Sequence, residues 1–517
     1  MRTAISVLAI FLSFSVWSAN TINFSWSVNA GPLNPHQTSA NQMYAQAMVY
    51  EPLVKYTNGG ELIPWLAKSW SISDSGTEYT FTLRSDVTFS NGEIFDANAV
   101  KANFDQLLEN YDRLKWLDFI RKLDRIEVIE QFVVRLHMKS AYYPTLQELT
   151  LVRPVRFMAP SAMPDEGHTG KGIKAPIGTG PWMLEESILG QKDTFVRNPH
   201  YWGKTPAFER VNVFVIPDAN ARALAFESGE INLIYGAEQI SPDTFERFRQ
   251  RPHFNTNLSE SLSTRVIAMN TAQSATKELA VRKAINYGID RKSIAQGIFN
   301  NMESPASWLF ADNVPYADLN LPIYDFNIEK ANTLLEEADW KRSKENSYRT
   351  KDEKQLNVDL VFYGHDANQK AIAEVIQANL KKIGIKVSLI SEERSRFYKR
   401  QKNGEFDLIF NNTWGTPYDP HSFVSGMRVP SHADYEAQKG LAQKADIDEW
   451  INQVLKSQDK HNRQTLYKKI LTTLHEQAVY LPVTYLRVPG VAHKELGPLQ
   501  MGAAVFDVPF ELFIPEQ

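Results

Sequence analysis

The first half of the chain alternates apolar and polar positions in short runs. Tyr79, Phe81 and Leu83 alternate with threonines, which predicts a half-buried strand. Asp96 precedes apolar positions at helical spacing and is predicted to cap that helix, and residues 211–216 are predicted to form another strand. This part of the chain is therefore predicted to be rich in short strands and turns.

A different pattern begins with the apolar run 266–269, which is typical of a buried strand. The apolar runs 358–363 and 385–390 flank a helical pattern, which predicts parallel strands joined by a right-handed helical crossover. The charged stretch 341–354 is predicted to be a solvated surface loop, and residues 447–474 are predicted to form one long helical region.

The length of 517 residues requires more than one hydrophobic core, because single cores stop growing at roughly 250–300 residues. The change of pattern places a boundary near Arg265. The C-terminal residues resume the strand-rich pattern of the first part, which suits a chain that returns to its first lobe. Two α/β lobes are predicted.

Residues 1–19 are predicted to be a secretory signal peptide. Arg2 is followed by an apolar run over 4–16 and by the small residues Ser18 and Ala19. The run is shorter than the roughly 20 residues that span a bilayer, and a buried N-terminal helix is the alternative reading. No later segment is apolar enough to span a membrane, so export as a soluble periplasmic protein is expected.

Composition and charge exclude several functions. The 56 Lys and Arg against 60 Asp and Glu give a net charge of −4, which does not favour a nucleic-acid partner. The absence of cysteine excludes disulfides, thiolate metal sites and cysteine nucleophiles. The 11 histidines are scattered, and the motifs of zinc hydrolases, serine hydrolases and P-loop enzymes are missing, so no enzyme is predicted.

Several segments resemble the extracellular solute-binding proteins of the oligopeptide, dipeptide and nickel class (family 5), which serve ABC importers. They are spread over nearly the whole chain, at 50–53, 66–70, 89–93, 178–181, 197–202 and 281–287. Three further segments resemble the nickel-binding members of that class, at 31–36, 414–420 and 427–434.

The resemblance implies an α/β, two-lobe periplasmic binding protein fold of class II, oligopeptide-binding type. It implies an extra subdomain in the first lobe and a ligand trapped in the interlobe cleft. The predicted division is 20–264 for lobe I with its subdomain, 265–481 for lobe II, and 482–517 for the C-terminal return to lobe I.

The resemblance makes His432 the metal ligand. A lone histidine in a loop is more often structural, but in nickel-binding relatives the histidine of this motif contacts the metal, and neutral imidazole suits Ni²⁺. One imidazole cannot hold an aquo ion tightly, so the remaining donors are expected from a small chelator. Free L-histidine or another amino-carboxylate is the predicted chelator.

The carboxylates of such a chelator require cations. Arg153 stands among apolar residues and corresponds to the family's carboxylate-binding arginine, although locally a structural ion pair is equally plausible. Arg113 is the second candidate. The expected pocket wall is made of aromatic residues and methionine, namely Trp26, Met43, Trp116, Tyr398, Trp414 and Tyr418. Thr38 stands where nickel-binding relatives tend to carry tyrosine, so the identity of the chelator and its position in the pocket are left open.

The predicted function is the capture of chelated nickel and its delivery to an inner-membrane ABC permease, by a protein expected to be monomeric. The alternative is a dipeptide- or oligopeptide-binding protein of the same importer class. Residues 414–418 contain no acid for a peptide's amino group, which disfavours the alternative. An exported hydrolase, the third possibility, lacks a recognisable nucleophile or metal pair.

Overall fold

The computed structural model describes residues 20–37, 43–273, 275–342 and 347–516. The predicted signal peptide 1–19 and Thr38 lie outside the described residues. No helix within these ranges is both long enough and apolar enough to cross a bilayer.

A mixed sheet of seven strands forms the centre of the first lobe. The strand that starts at Thr21 runs parallel to the strand that starts at Arg210, with Phe24 opposite Val213 in the buried layer. In spatial order the strands are Phe254–Leu258, Pro489–His493, Leu233–Tyr235, Thr21–Trp26, Arg210–Val215, Lys192–Arg197 and Trp182–Ile188. The helices around it are Met43–Val49, Ala219–Glu227 and Pro242–Arg249.

A second sheet of six strands contains the predicted strand–helix–strand unit. Asn357–Tyr363 and Lys386–Glu392 pair in parallel, and the helix Ala367–Lys382 joins them, so this prediction is confirmed. Ile376 and Leu380 bury that helix against the sheet. In spatial order the strands are Ser304–Pro305, Tyr480–Leu486, Ser263–Met269, Leu408–Asn412, Asn357–Tyr363 and Lys386–Glu392.

The remaining helices of this region surround the second sheet. They are Leu279–Gly288, Arg291–Phe299, Ile328–Glu337, Arg394–Asn403, His421–Gly426, Ala433–Gln438, Lys444–Lys456 and Lys460–Glu476.

A four-stranded antiparallel sheet forms a separate subdomain, whose strands in order are Ala67–Ile72, Glu78–Leu83, Val133–Met138 and Leu123–Glu130. Asp96 accepts a hydrogen bond from the amide of Ala99 and caps the helix Ala97–Glu109, as predicted. The subdomain's other helices are short: Tyr111–Leu114, Asp118–Lys122 and Thr145–Glu148. Val54–Tyr56 and Leu62–Pro64 form a small ribbon beside it.

The subdomain shares a hydrophobic core with the second lobe. One cluster combines Phe81 and Leu136 of the four-stranded sheet with Ile451 and Tyr467 of two C-terminal helices. All four side chains are buried. The subdomain therefore packs against the second lobe, and its segments that border the cleft face that lobe.

The chain crosses between the two large sheets at two places that lie side by side. One crossing follows the strand Phe254–Leu258 and the other follows Tyr480–Leu486. Ser259 N–H donates to the carbonyl of Val488 at 3.0 Å, and Val488 N–H donates back to the Ser259 hydroxyl at 2.8 Å. The predicted division at 264/265 and 481/482 stays a prediction, although residues 482–486 lie in the second sheet.

Two element predictions differ from the structure. The region 447–474 is two helices, Lys444–Lys456 and Lys460–Glu476, because the Asp459 carboxylate accepts from His461 N–H and starts a new helix. The stretch 341–354 is not entirely solvated. Its Arg349 is 2% exposed and forms an ion pair with Glu336.

Candidate functional site

A cavity of about 1140 Å³ lies where the first sheet, the subdomain and the second lobe meet. The first lobe contributes Trp26 and residues 503–508, and the second lobe contributes residues 412–417. The subdomain contributes residues 112, 113, 115–118, 148 and 150–153. The cavity is therefore an interlobe cleft, as the resemblance implied.

His432 lies on the second-lobe side of this cavity, directly before the helix Ala433–Gln438. Its ring stacks on Trp414 with centroids 5.5 Å apart and planes 23° from parallel. Within the described residues, no side chain or carbonyl forms a hydrogen bond with either ring nitrogen. Burial lowers the pKa of His432 below its usual 6.5, which favours the neutral imidazole that can bind a metal.

Arg153 lies on the subdomain side, in the segment that follows the helix Thr145–Glu148. Its guanidinium stands 5.4 Å from the centroid of the Trp116 ring. Its Nε is buried without a hydrogen-bond partner, and no carboxylate in the described part of the chain pairs with it. Burial lowers the pKa of Arg153, as expected for a cation that lacks a counter-ion. Such an arginine is ready to accept an anionic ligand.

Arg113 also lines the cavity, from the last turn of the helix Tyr111–Leu114. It is exposed and forms no ion pair within the ranges that the structure covers. Trp116 follows it and is 47% exposed, which is high for a tryptophan in a folded chain. The two predicted arginines thus enter the same cavity, with the indole of Trp116 next to Arg153.

Three more predicted residues line the cavity. Trp26 packs against Tyr44 with ring centroids 4.8 Å apart, and Met43 is 9% exposed at the start of the helix Met43–Val49. Trp414 is 40% exposed on the opposite side. Apolar side chains from both lobes therefore form walls that exclude water from a bound ligand.

Two predicted residues do not line the cavity. Tyr398 is 54% exposed on the outer helix Arg394–Asn403, with its ring next to Phe397. Tyr418 is 3% exposed behind the wall, where its hydroxyl donates to the carbonyl of Asn58 at 3.0 Å. The neighbouring Thr416 lines the cavity while Tyr398 and Tyr418 do not, and a role of these two tyrosines in ligand binding stays a prediction.

A buried ionic network beneath the cavity was not predicted from the sequence. His421 Nδ1 lies 2.9 Å from Asp419 and its Nε2 lies 3.3 Å from Glu148 of the subdomain. Burial alone would lower the pKa of His421, but the two carboxylates outweigh it and raise the pKa to about 9. Tyr143 adds a hydroxyl donor to Asp419 at 2.7 Å. The network ties the subdomain to the second lobe, and only the fold brings Glu148 next to residues 419–421.

The cavity also has an acidic region that the sequence reading missed. Glu51 is 4% exposed, and its carboxylate accepts hydrogen bonds from the indoles of Trp65 and Trp202, both at 2.8 Å. Burial raises the pKa of Glu51 and raises that of Glu511 to about 7. The sequence signal for this acidic region is Glu51, an acid within the otherwise apolar motif at 50–53. In the sequence analysis, that motif indicates only the family resemblance.

Within the described residues, no group of three or more His, Cys, Asp or Glu side chains is arranged to hold a metal ion.

The chain matches the family model "Bacterial extracellular solute-binding proteins, family 5 Middle" over residues 61–435. It is 49% identical to the nickel-binding periplasmic protein of Escherichia coli K12, over 99% of this chain and 98% of that protein.

Solved structures agree with this assignment. NikA from Brucella suis in complex with Fe(III)-EDTA is 54% identical, with a TM-score of 0.93 over 96% of this chain and 100% of that chain. An ABC transporter substrate-binding protein from Sinorhizobium meliloti is 28% identical, with a TM-score of 0.81 over 96% and 100% of the two chains. These relatives are solute-binding proteins and not enzymes. The chain belongs to family 5 of the bacterial extracellular solute-binding proteins.

Proposed function

We propose that this protein captures nickel in the periplasm as a chelate and delivers it to an inner-membrane ABC permease specific for nickel. The chelator is free L-histidine or a similar small amino-carboxylate. Residues 1–19 act as the export signal, and the mature protein works as a monomer with two lobes divided near 264 and 481.

One observation carries the proposal: His432 and Arg153 line the same cavity from opposite sides, and within the described residues neither the ring nitrogens of His432 nor Nε of Arg153 has a hydrogen-bond partner. One imidazole supplies one donor to the metal, so the chelator supplies the others. Its carboxylates bind the guanidinium groups of Arg153 and Arg113, and Trp116 and Trp414 keep water away from these contacts.

The relatives support both halves of the proposal. The Escherichia coli relative is named for nickel, and the Brucella suis structure contains a metal held by the amino-carboxylate EDTA. A carrier that recognises the carboxylates of a chelator through arginine would accept such complexes.

Tryptophan fluorescence tests the proposal, because Trp116 and Trp414 border the expected ligand. Purified mature protein is titrated with Ni²⁺ alone, with L-histidine alone, and with both together. Quenching that requires both supports the chelate. Quenching by dipeptides, with no response to nickel and histidine, would contradict the proposal and favour the peptide-binding alternative.

A further inference from the structure

A second cavity, of about 390 Å³, lies beside the interlobe cavity and shares Asp118, Arg121 and Val429 with its lining. One wall is the helix Asp118–Lys122 of the subdomain, and the facing wall contains Arg428 of the second lobe. A ligand bound in this second cavity would therefore contact both the subdomain and the second lobe.

The lining of the second cavity carries an excess of positive charge. Its cationic residues are Arg121, Lys122, Arg428 and Lys456, and Asp118 is its one carboxylate. That carboxylate is already engaged, because it forms ion pairs with Arg121 and, at 3.9 Å, with Arg428, and it accepts a hydrogen bond from the hydroxyl of Ser425. The two arginines therefore share one carboxylate, the two lysines have none in the lining, and the lining carries a net excess of three positive charges.

The cations around the second cavity repel one another and lower one another's pKa values. Burial lowers the pKa of Lys122, and the neighbouring Lys456 and Arg121 lower it further. Burial and Arg121 also lower the pKa of Arg428. The Nε of Arg428 is buried without a partner among the described residues, although its Nη1 donates to Asn452 and its Nη2 donates to Ser425 at 2.9 Å. A bound anion would remove this repulsion and pair the free guanidinium N–H.

We propose that the second cavity binds a small oxyanion with two or more negative charges, such as inorganic phosphate or a polycarboxylate. This site is separate from the chelate site and does not depend on the identity of the chelate. Because the cationic groups come from both sides of the cleft, the anion links the subdomain to the second lobe. It therefore stabilises the closed arrangement and raises the affinity for the cargo.

Isothermal titration calorimetry of the metal-free mature protein tests this proposal. Inorganic phosphate and citrate are titrated separately at constant ionic strength. We expect saturable binding of at least one of them, and at least tenfold weaker binding to the double variant Lys122→Gln/Lys456→Gln. The control Lys370→Gln/Lys381→Gln removes two exposed lysines from the helix Ala367–Lys382 and should bind as tightly as the wild type.

The variant Arg153→Ala separates the two cavities. Citrate binding that survives Arg153→Ala but not the Lys122/Lys456 change supports the second cavity. Binding that is lost with Arg153→Ala alone would place the anion in the chelate site and overturn the proposal. The absence of saturable binding of both anions, or an equal loss in the control, would also overturn it. Comparison of phosphate with citrate shows whether the bound oxyanion is a phosphate or a polycarboxylate.

Discussion

At the scale of single residues, the orientation of His432 matters most. Its ring lies against the face of Trp414, so the ring edge that carries both nitrogens is left for a ligand. The stack also fixes the imidazole, which reduces the rotational entropy that metal binding would cost. In the proposed metal site, Trp414 would therefore orient His432 for a single donor bond.

We expect His432→Ala to weaken binding of the nickel–histidine complex by at least about 100-fold, because even indirect partners of metal ligands typically contribute 10–100-fold. Calorimetry measures the affinity. The matched control is His461→Ala, at an exposed helix start, which should leave the affinity unchanged. An unaltered affinity in His432→Ala would remove this residue from the site.

Arg153 should recognise the carboxylate of the chelator and not the metal. A charge-assisted hydrogen bond contributes about 1.5–3 kcal/mol, so Arg153→Ala should weaken nickel–histidine binding by about 10- to 100-fold. Binding of nickel–histamine, which lacks the carboxylate, should change little. Arg153→Lys should not restore the affinity, because an ammonium cannot form the two parallel bonds of a guanidinium. Equal losses for both complexes would make the arginine structural.

At the scale of elements, close contacts fix the turn that leads into the strand Trp182–Ile188. A Cβ atom at Gly178 would lie 2.0 Å from the carbonyl oxygen of Val49, which no small side-chain movement relieves. Gly297, in the helix Arg291–Phe299, has nothing within 4 Å of its Cβ position.

The two glycines should respond to alanine in opposite directions. Gly178→Ala should lower the thermal midpoint by several degrees, because the backbone at Val49 must move. Gly297→Ala should stabilise by about 0.5–1 kcal/mol, since alanine loses less backbone entropy in a helix. Thermal unfolding monitored by circular dichroism measures both. A stable Gly178→Ala protein would show that the turn has room that the structure does not show.

The network at His421 makes the contact between subdomain and second lobe sensitive to pH. The pKa is about 9 in the folded protein and near 6.5 when unfolded, so the stabilisation is complete below pH 6.5 and is lost as the pH rises through 9. This shift corresponds to about 3 kcal/mol.

Thermal midpoints of the wild type and His421→Gln should therefore differ most at pH 6 and converge toward pH 9.5. The comparison cancels the titration of other groups, which both proteins share. A difference that stays constant over this range would mean that His421 is neutral in the folded protein.

Elements with strong local signals were predictable from the sequence. The cap at Asp96 and the parallel unit around Ala367–Lys382 follow from local patterns, and both are confirmed. The break at Asp459 was missed because apolar positions continue on both sides of it. Tyr398 and Tyr418 match pocket motifs but are not among the residues that line the cavity, because a motif fixes the position of the backbone but not the side to which each ring turns.

The site depends on contacts that no local pattern contains. His432 and Arg153 could be proposed from motifs. That Arg153 Nε lacks a partner among the described residues is visible only after the fold brings residues 112–116 and 148–153 together. The link between Glu148 and His421 spans two lobes for the same reason.

At the scale of the whole molecule, the position of the cavity between lobes implies that ligand binding shifts an equilibrium between open and closed forms. We expect small-angle X-ray scattering to give a smaller radius of gyration after addition of Ni²⁺ and L-histidine together. The variant His432→Ala should show no such change. An identical radius with and without the ligands in the wild type would contradict closure.

The paired crossings between the two large sheets have a consequence for how this architecture can diversify. Ser259 and Val488 hold the two segments together by reciprocal hydrogen bonds, and neither residue is among those that line the interlobe cavity. The bonded pair lies outside the cavity lining, although Ser261 and Leu262 of the first crossing belong to it. Substitutions elsewhere on the cavity wall can therefore change its lining while the reciprocal bonds between Ser259 and Val488 stay in place.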